Sequence, residues 1–158
     1  VKPAAQNHRG EKVAVMATPL TLHEEKFKQL VKRYENLATI IPVPCPDLVE
    51  YVEKGILEGP ELEGYLKDVL KPCLQEGVKA VVLGCTHFPI GKVVGESVRI
   101  YDGGEGTARQ AKCLLAAKNL CTDQEKGHIC FESSAPKKEA YYEALYRKAA
   151  HIDSRVKL

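Results

Sequence analysis

The feature that most constrains this chain is a short run that is apolar at every position. Ala80-Val-Val-Leu83 offers no side chain to water, so both faces of the strand it forms must be covered. Strands buried on both faces belong to parallel sheets, because crossover helices pack on either side of them. The run therefore predicts an α/β fold with a mainly parallel sheet flanked by helices.

The rest of the chain supplies the units such a sheet needs. Val13-Ala-Val-Met-Ala17 is a compact run with strand character. Leu22 to Tyr34 places Leu22, Phe27, Leu30, Val31 and Tyr34 near helical spacing. Thr39-Ile-Ile-Pro-Val43 is β-branched, and Pro42, which has no N–H for a ladder, puts it at an edge or a strand end. Helices are expected over Pro46–Lys54 and from Pro60 to about Gln75, where Gly77 stops the second. The central strand is expected over Val78–Leu83, and a further one over Val98–Tyr101. A helix over Gly106–Leu120, a strand over His128–Phe131 and a helix over Pro136–Ala150 complete the reading. Val1 to Gly10 reads as a linker, and the expected division is a linker over 1–12, an α/β domain over 13–105 and a helix-strand-helix segment over 106–158.

Bulk properties narrow the function classes. At 158 residues the chain is one ordinary domain in size, and 44% hydrophobic content can fill a core. Lys and Arg total 23 against 21 acidic residues, so no basic stripe points to nucleic acid. No apolar run has the length of a membrane span, and the polar start has no signal-peptide core. A cytoplasmic setting is expected, with the six cysteines (Cys45, Cys73, Cys85, Cys113, Cys121 and Cys130) as reduced thiols rather than a disulfide framework. The start at Val1 suggests a chain that continues upstream.

In parallel sheets ligands sit at the carboxyl ends of strands. That rule selects Thr18–Thr21, Cys45–Glu53, Gly84–Pro89 and Asp102–Gly106. The strongest local signal among these is Gly84-Cys-Thr-His-Phe-Pro89, directly after the apolar strand. Glycine lets a ligand approach the backbone. A thiol, a hydroxyl and an imidazole then follow in three consecutive residues. A free thiol has a pKa near 8.5, and a neighbouring imidazole or helix N-terminus lowers it toward a usable base or nucleophile. The competing reading is a small buried residue at a strand end. Cys85-x-His87 and His128-x-Cys130 are poor zinc candidates, because there is no Cys-x-x-Cys pair and they fall on separate expected strands. Asp102-Gly-Gly-Glu-Gly106 lies where a phosphate loop would, but it lacks the full glycine spacing and fits a capped turn better.

Val81-Val-Leu-Gly-Cys-Thr-His-Phe-Pro89 resembles the second cysteine motif of glutamate racemases, within the wider aspartate/glutamate racemase superfamily. Aspartate racemases usually carry glutamate where this chain has His87. Three more segments are similar in the expected order: Val15–Thr21, Cys45–Glu53 and Ile100–Gly104. The resemblance runs from about Val13 to Gly106 and more weakly beyond.

The resemblance implies half of a two-domain fold and cofactor-independent racemisation of glutamate, supplying D-glutamate for peptidoglycan. It implies Cys85 as one of two catalytic cysteines, with His87 assisting it and binding substrate. Thr86 would hold the α-carboxylate, Thr18 and Thr21 would line the site, and Glu53 would orient His87 or approach the ammonium group. The plain alternatives are that Thr18 caps a helix and that Glu53 is a solvated helix residue. The two segments of the family's first half, an Asp-Ser segment near its start and a Cys-Asn-Thr segment bearing the other cysteine, have no counterpart here, and Cys45 matches a different, non-catalytic position. The chain alone is therefore expected to be inactive without a first racemase domain, and 106–158 to lack the surface it would fold back on. Two alternatives stand beside this reading. One is a self-associating, non-catalytic module, such as a homodimer. The other is an aspartate racemase-like isomerase of the same superfamily.

Overall fold

The computed structural model describes residues 1–84, 91–122, 128–135 and 138–153. They divide into two compact units, Val1–Gly103 and Gly104–Leu158.

The first unit is built on four parallel strands: β1 (Lys12–Ala17), β2 (Thr39–Pro44), β3 (Ala80–Leu83) and β4 (Arg99–Tyr101). Their order is β2-β1-β3-β4. Pro42 and Pro44 lie in β2, whose edge position tolerates residues with no donor for a second ladder. Ala80, Val81 and Val82 are buried, as their all-apolar run requires.

Side-chain alternation along β1 divides the core into two layers. Ala14 and Met16 join Leu62, Leu66, Leu70, Cys73, Val43 and Cys45 on one face. Val13 and Val15 join Ala4, Ala5, Phe27, Ala38, Ala80 and Val82 on the other. The first layer is closed by α4 (Leu48–Glu53), α5 (Pro60–Gln75) and α6 (Gly91–Val94). The second is closed by α1 (Lys2–Asn7) and α3 (Glu25–Tyr34). Helix α5 places Leu62, Leu66 and Leu70 on one stripe, all fully buried. It ends at Gln75, followed by Gly77 at φ 79°, a left-handed position that suits glycine.

Three expectations change. Residues 1–12, read as a linker, contain α1, because Ala4 and Ala5 are small enough to pack flush on the sheet and are fully buried. The helix expected over Leu22–Tyr34 is two: α2 (Pro19–His23) and α3, separated by Glu24 in extended conformation at ψ 143°. Helix α2 starts earlier than expected because Thr18 caps it and Pro19 fits its first turn.

The third change is in the second unit. His128–Phe131 is not a strand, and Ile129 is 64% exposed. A strand needs a neighbour for its ladder, and the sheet's four strands all come from the first unit. The unit contains α7 (Gly104–Ala117) and α8 (Glu139–Asp153). Helix α7 closes with Asn119 at φ 55°, the Leu120 N–H donating to the Leu115 carbonyl at 2.8 Å and the Asn119 N–H to that of Ala116 at 3.1 Å. That is the Schellman arrangement, with leucines at its two apolar positions. Near α8, the Ser133 N–H donates to Glu139 Oε1 at 3.3 Å, and Phe131 meets the Tyr146 ring edge-on at 5.4 Å.

Candidate functional site

The strand order contains a reversal. From β1 the chain crosses by α3 on one face to β2, then by α5 on the other face to β3 on the opposite side of β1. The connections leaving β1 and β2 thus part to opposite faces, and the order reverses between β1 and β3, the place beside whose carboxyl ends parallel sheets take ligands.

The residues at that edge are held by backbone contacts. The Gly84 N–H donates to the Met16 carbonyl at 2.8 Å, extending the β3–β1 ladder by one residue. A Cβ on Gly84 would lie 2.5 Å from that carbonyl oxygen and 3.0 Å from Ala17 Cβ. Glycine is thus demanded here by close approach, and it fixes where the chain leaves β3. On the other side of β1 the Cys45 N–H donates to the Ala17 carbonyl at 2.9 Å. Thr18 follows Ala17, and the carboxyl ends of β1, β2 and β3 share one edge.

Thr18 is half-buried and starts α2. Its Oγ1 accepts the Thr21 N–H at 3.3 Å and lies 3.0 Å from Thr21 Oγ1. The cap reading of Thr18 is therefore correct, and the same cap brings two hydroxyls together at the sheet edge. Thr21 is exposed. Glu53 is the last residue of α4 and is exposed to solvent. Cys85, Thr86 and His87 lie outside the described residues, as do Phe88 and Pro89. Asp102, at the end of β4, is half-buried, and α7 begins two residues later.

The other thiols divide by burial. Cys45 is 1% exposed, and its Sγ donates to the Val43 carbonyl at 3.4 Å. Cys73 donates to the Leu70 carbonyl at 3.1 Å, and burial pushes its thiol pKa up. A thiol held neutral by desolvation is a packing group, not a base. Cys113, Cys121 and Cys130 are exposed in the second unit. Among the described residues no helix is long and apolar enough to cross a membrane.

One residue at this edge escaped the sequence reading. Tyr65 of α5 accepts the Asp47 N–H on its phenolic oxygen at 3.3 Å, and its ring lies 5.4 Å from that of Tyr51. Burial pushes its pKa up to about 12. Its place between Leu62 and Leu66 on the helix reads as ordinary core. The available signal was its polar tip, since a partly buried tyrosine hydroxyl needs a partner.

Residues 1–111 match the Asp/Glu/Hydantoin racemase family. The chain is similar to a glutamate racemase of Clostridium perfringens, 42% identical over 131 residues, which are 80% of this chain and 50% of the relative. A glutamate racemase of Clostridium kluyveri is 45% identical over 131 residues, 80% of this chain and 51% of the relative. Among solved structures, Escherichia coli glutamate racemase in complex with L-glutamate and the activator UDP-MurNAc-ala superposes with a TM-score of 0.71 at 29% identity. That match covers 93% of this chain and 58% of the other. The chain spans about half the length of the curated relatives it matches.

Proposed function

The chain belongs to the Asp/Glu/Hydantoin racemase family, and on that footing we propose that it carries one wall of a glutamate racemase active site, with Cys85 as the thiol on that wall. The observation that carries this reading is the β1–β3 reversal. In the sequence the Gly-Cys-Thr-His run follows directly on β3, and Gly84 lies at the β1–β3 reversal, beside which a parallel sheet of this order takes its ligands. The similarity to glutamate racemases at 42–45% identity supports the substrate.

The chemistry needs two thiols on opposite faces of the substrate α-carbon. One, as thiolate, removes the α-proton and leaves the electron pair on carbon. The other, as thiol, gives its proton to the opposite face. One thiolate and one thiol have then exchanged states, and the configuration is inverted. A single base would return the proton to the side it came from. Cys85 is one of these groups, and His87 favours its thiolate and meets the substrate. Thr86 holds the α-carboxylate. Thr18 and Thr21, joined by the α2 cap, line the edge, and Glu53 orients His87 or meets the ammonium group. The second thiol belongs to a first domain outside this sequence. In this reading the enzyme needs no cofactor, works in the cytoplasm and feeds D-glutamate to peptidoglycan synthesis.

Optical rotation of L-glutamate tests the half-site. The chain alone should leave it unchanged, and the chain mixed with the first domain of a Clostridium relative should drive it to zero. Steady turnover by the chain alone would overturn the two-wall reading.

A further inference from the structure

Helix α4 starts at the carboxyl edge of the sheet but lacks the usual fastening. Its N-cap residue, Asp47, makes no side-chain cap to the first turn. A helix start leaves backbone donors unsatisfied, and these need partners. Here the partner of the Asp47 N–H comes from another helix: the Tyr65 hydroxyl of α5, at 3.3 Å. The same tyrosine meets Tyr51, in the first turn and a half of α4, at 5.4 Å between ring centroids. Tyr65 sits on a rigid base, since Leu62 and Leu66 on either side of it are fully buried. At the other end of this loop, the Cys45 N–H is tied to β1 through the Ala17 carbonyl at 2.9 Å.

We propose that Tyr65 is a positioning residue for the racemase site, holding the Cys45–Asp47 loop and the start of α4 at a fixed height on the sheet's carboxyl edge. This rests on the racemase reading given above. The loop is tied to β1 one residue before Thr18, and α4 ends at Glu53. A shift at Asp47 therefore moves two of the proposed substrate contacts together. With its pKa near 12, the phenol stays a neutral hydroxyl across the physiological range, so the anchor does not switch with pH.

Tyr65→Phe tests this, because it keeps the ring that packs on Tyr51 and removes only the hydroxyl. In the 158-residue chain, amide hydrogen exchange at Asp47 should accelerate roughly three- to tenfold, the size of one lost hydrogen bond, while β1 and β3 amides stay unchanged. Unchanged exchange at Asp47 overturns the anchor. In the chain reconstituted with a relative's first domain, KM for glutamate should rise roughly three- to tenfold with kcat within about twofold, the signature of lost binding alignment. A purely structural role would lower Tm and leave KM where it is, and that result overturns the positioning role. Wild-type chain that fails to racemise in the reconstituted pair removes the racemase reading and this role with it. Active wild type with an unaltered KM in Tyr65→Phe removes Tyr65 alone.

Discussion

In the sheet unit, five of the six residues of β1 are buried and its side chains feed core layers on both faces. In the unit that follows, no described residue is buried, and Leu114, Leu115 and Leu120 of α7 and its end stand 53%, 45% and 62% exposed. The two regions thus owe their regularity to different causes. The first is held by burial, at about 1.5–3 kcal/mol for each fully buried leucine or valine. The second shows what local signals do without burial: a Schellman closure, a Ser133–Glu139 contact and an Arg147–Glu143 pair at 2.6 Å. Such features are worth a few tenths to one kcal/mol each. A 14-residue helix is near the length at which isolated helices are marginal in water.

The contrast breaks or sharpens under four substitutions, each read by urea unfolding of the chain. Leu66→Ala in the fully buried stripe of α5 should cost about 2–5 kcal/mol, through lost transfer energy and the cavity left behind. A loss under about 1 kcal/mol would show that the first core is loosely packed. Gly84→Ala should cost about 1–3 kcal/mol, because the new methyl must push on the Met16 carbonyl rather than on a yielding side chain. Wild-type stability there would mean that the β3–β1 junction is not as close as 2.5 Å implies. Thr18→Ala removes the α2 cap and should cost about 1 kcal/mol, with Thr18→Ser recovering most of it. No difference between the two would remove the cap. Leu114→Ser, on the exposed helix, should stay within about 0.5 kcal/mol. A loss like that of Leu66→Ala would mean that α7 is buried in solution and the contrast is false.

What could be read from the sequence follows the same division. The run Ala80–Leu83 announced a doubly covered parallel strand, and Pro42 announced an edge, because both are properties of single residues against a ladder. Ala4 and Ala5 gave no such warning. Their burial depends on a sheet face formed far along the chain, so a stretch that looked like a linker became a helix. The misread strand at His128–Phe131 failed for the converse reason: its apolar residues suit a ladder, but among the described residues the second unit contains no strand to pair with. The strand-end rule named Thr18, Thr21 and Gly84, and topology alone brings them to the carboxyl ends of β1 and β3. Tyr65 was hidden because its role lies in one hydroxyl reaching a backbone N–H eighteen residues away in sequence.

Cys85→Ala in the reconstituted pair, followed by the optical rotation of L-glutamate, tests the account most directly. Losing one of two proton-transfer groups should lower the racemisation rate by at least ~10²-fold, with the first domain still intact. A rate equal to that of the wild-type pair would contradict the assignment of the reacting thiol to the end of β3.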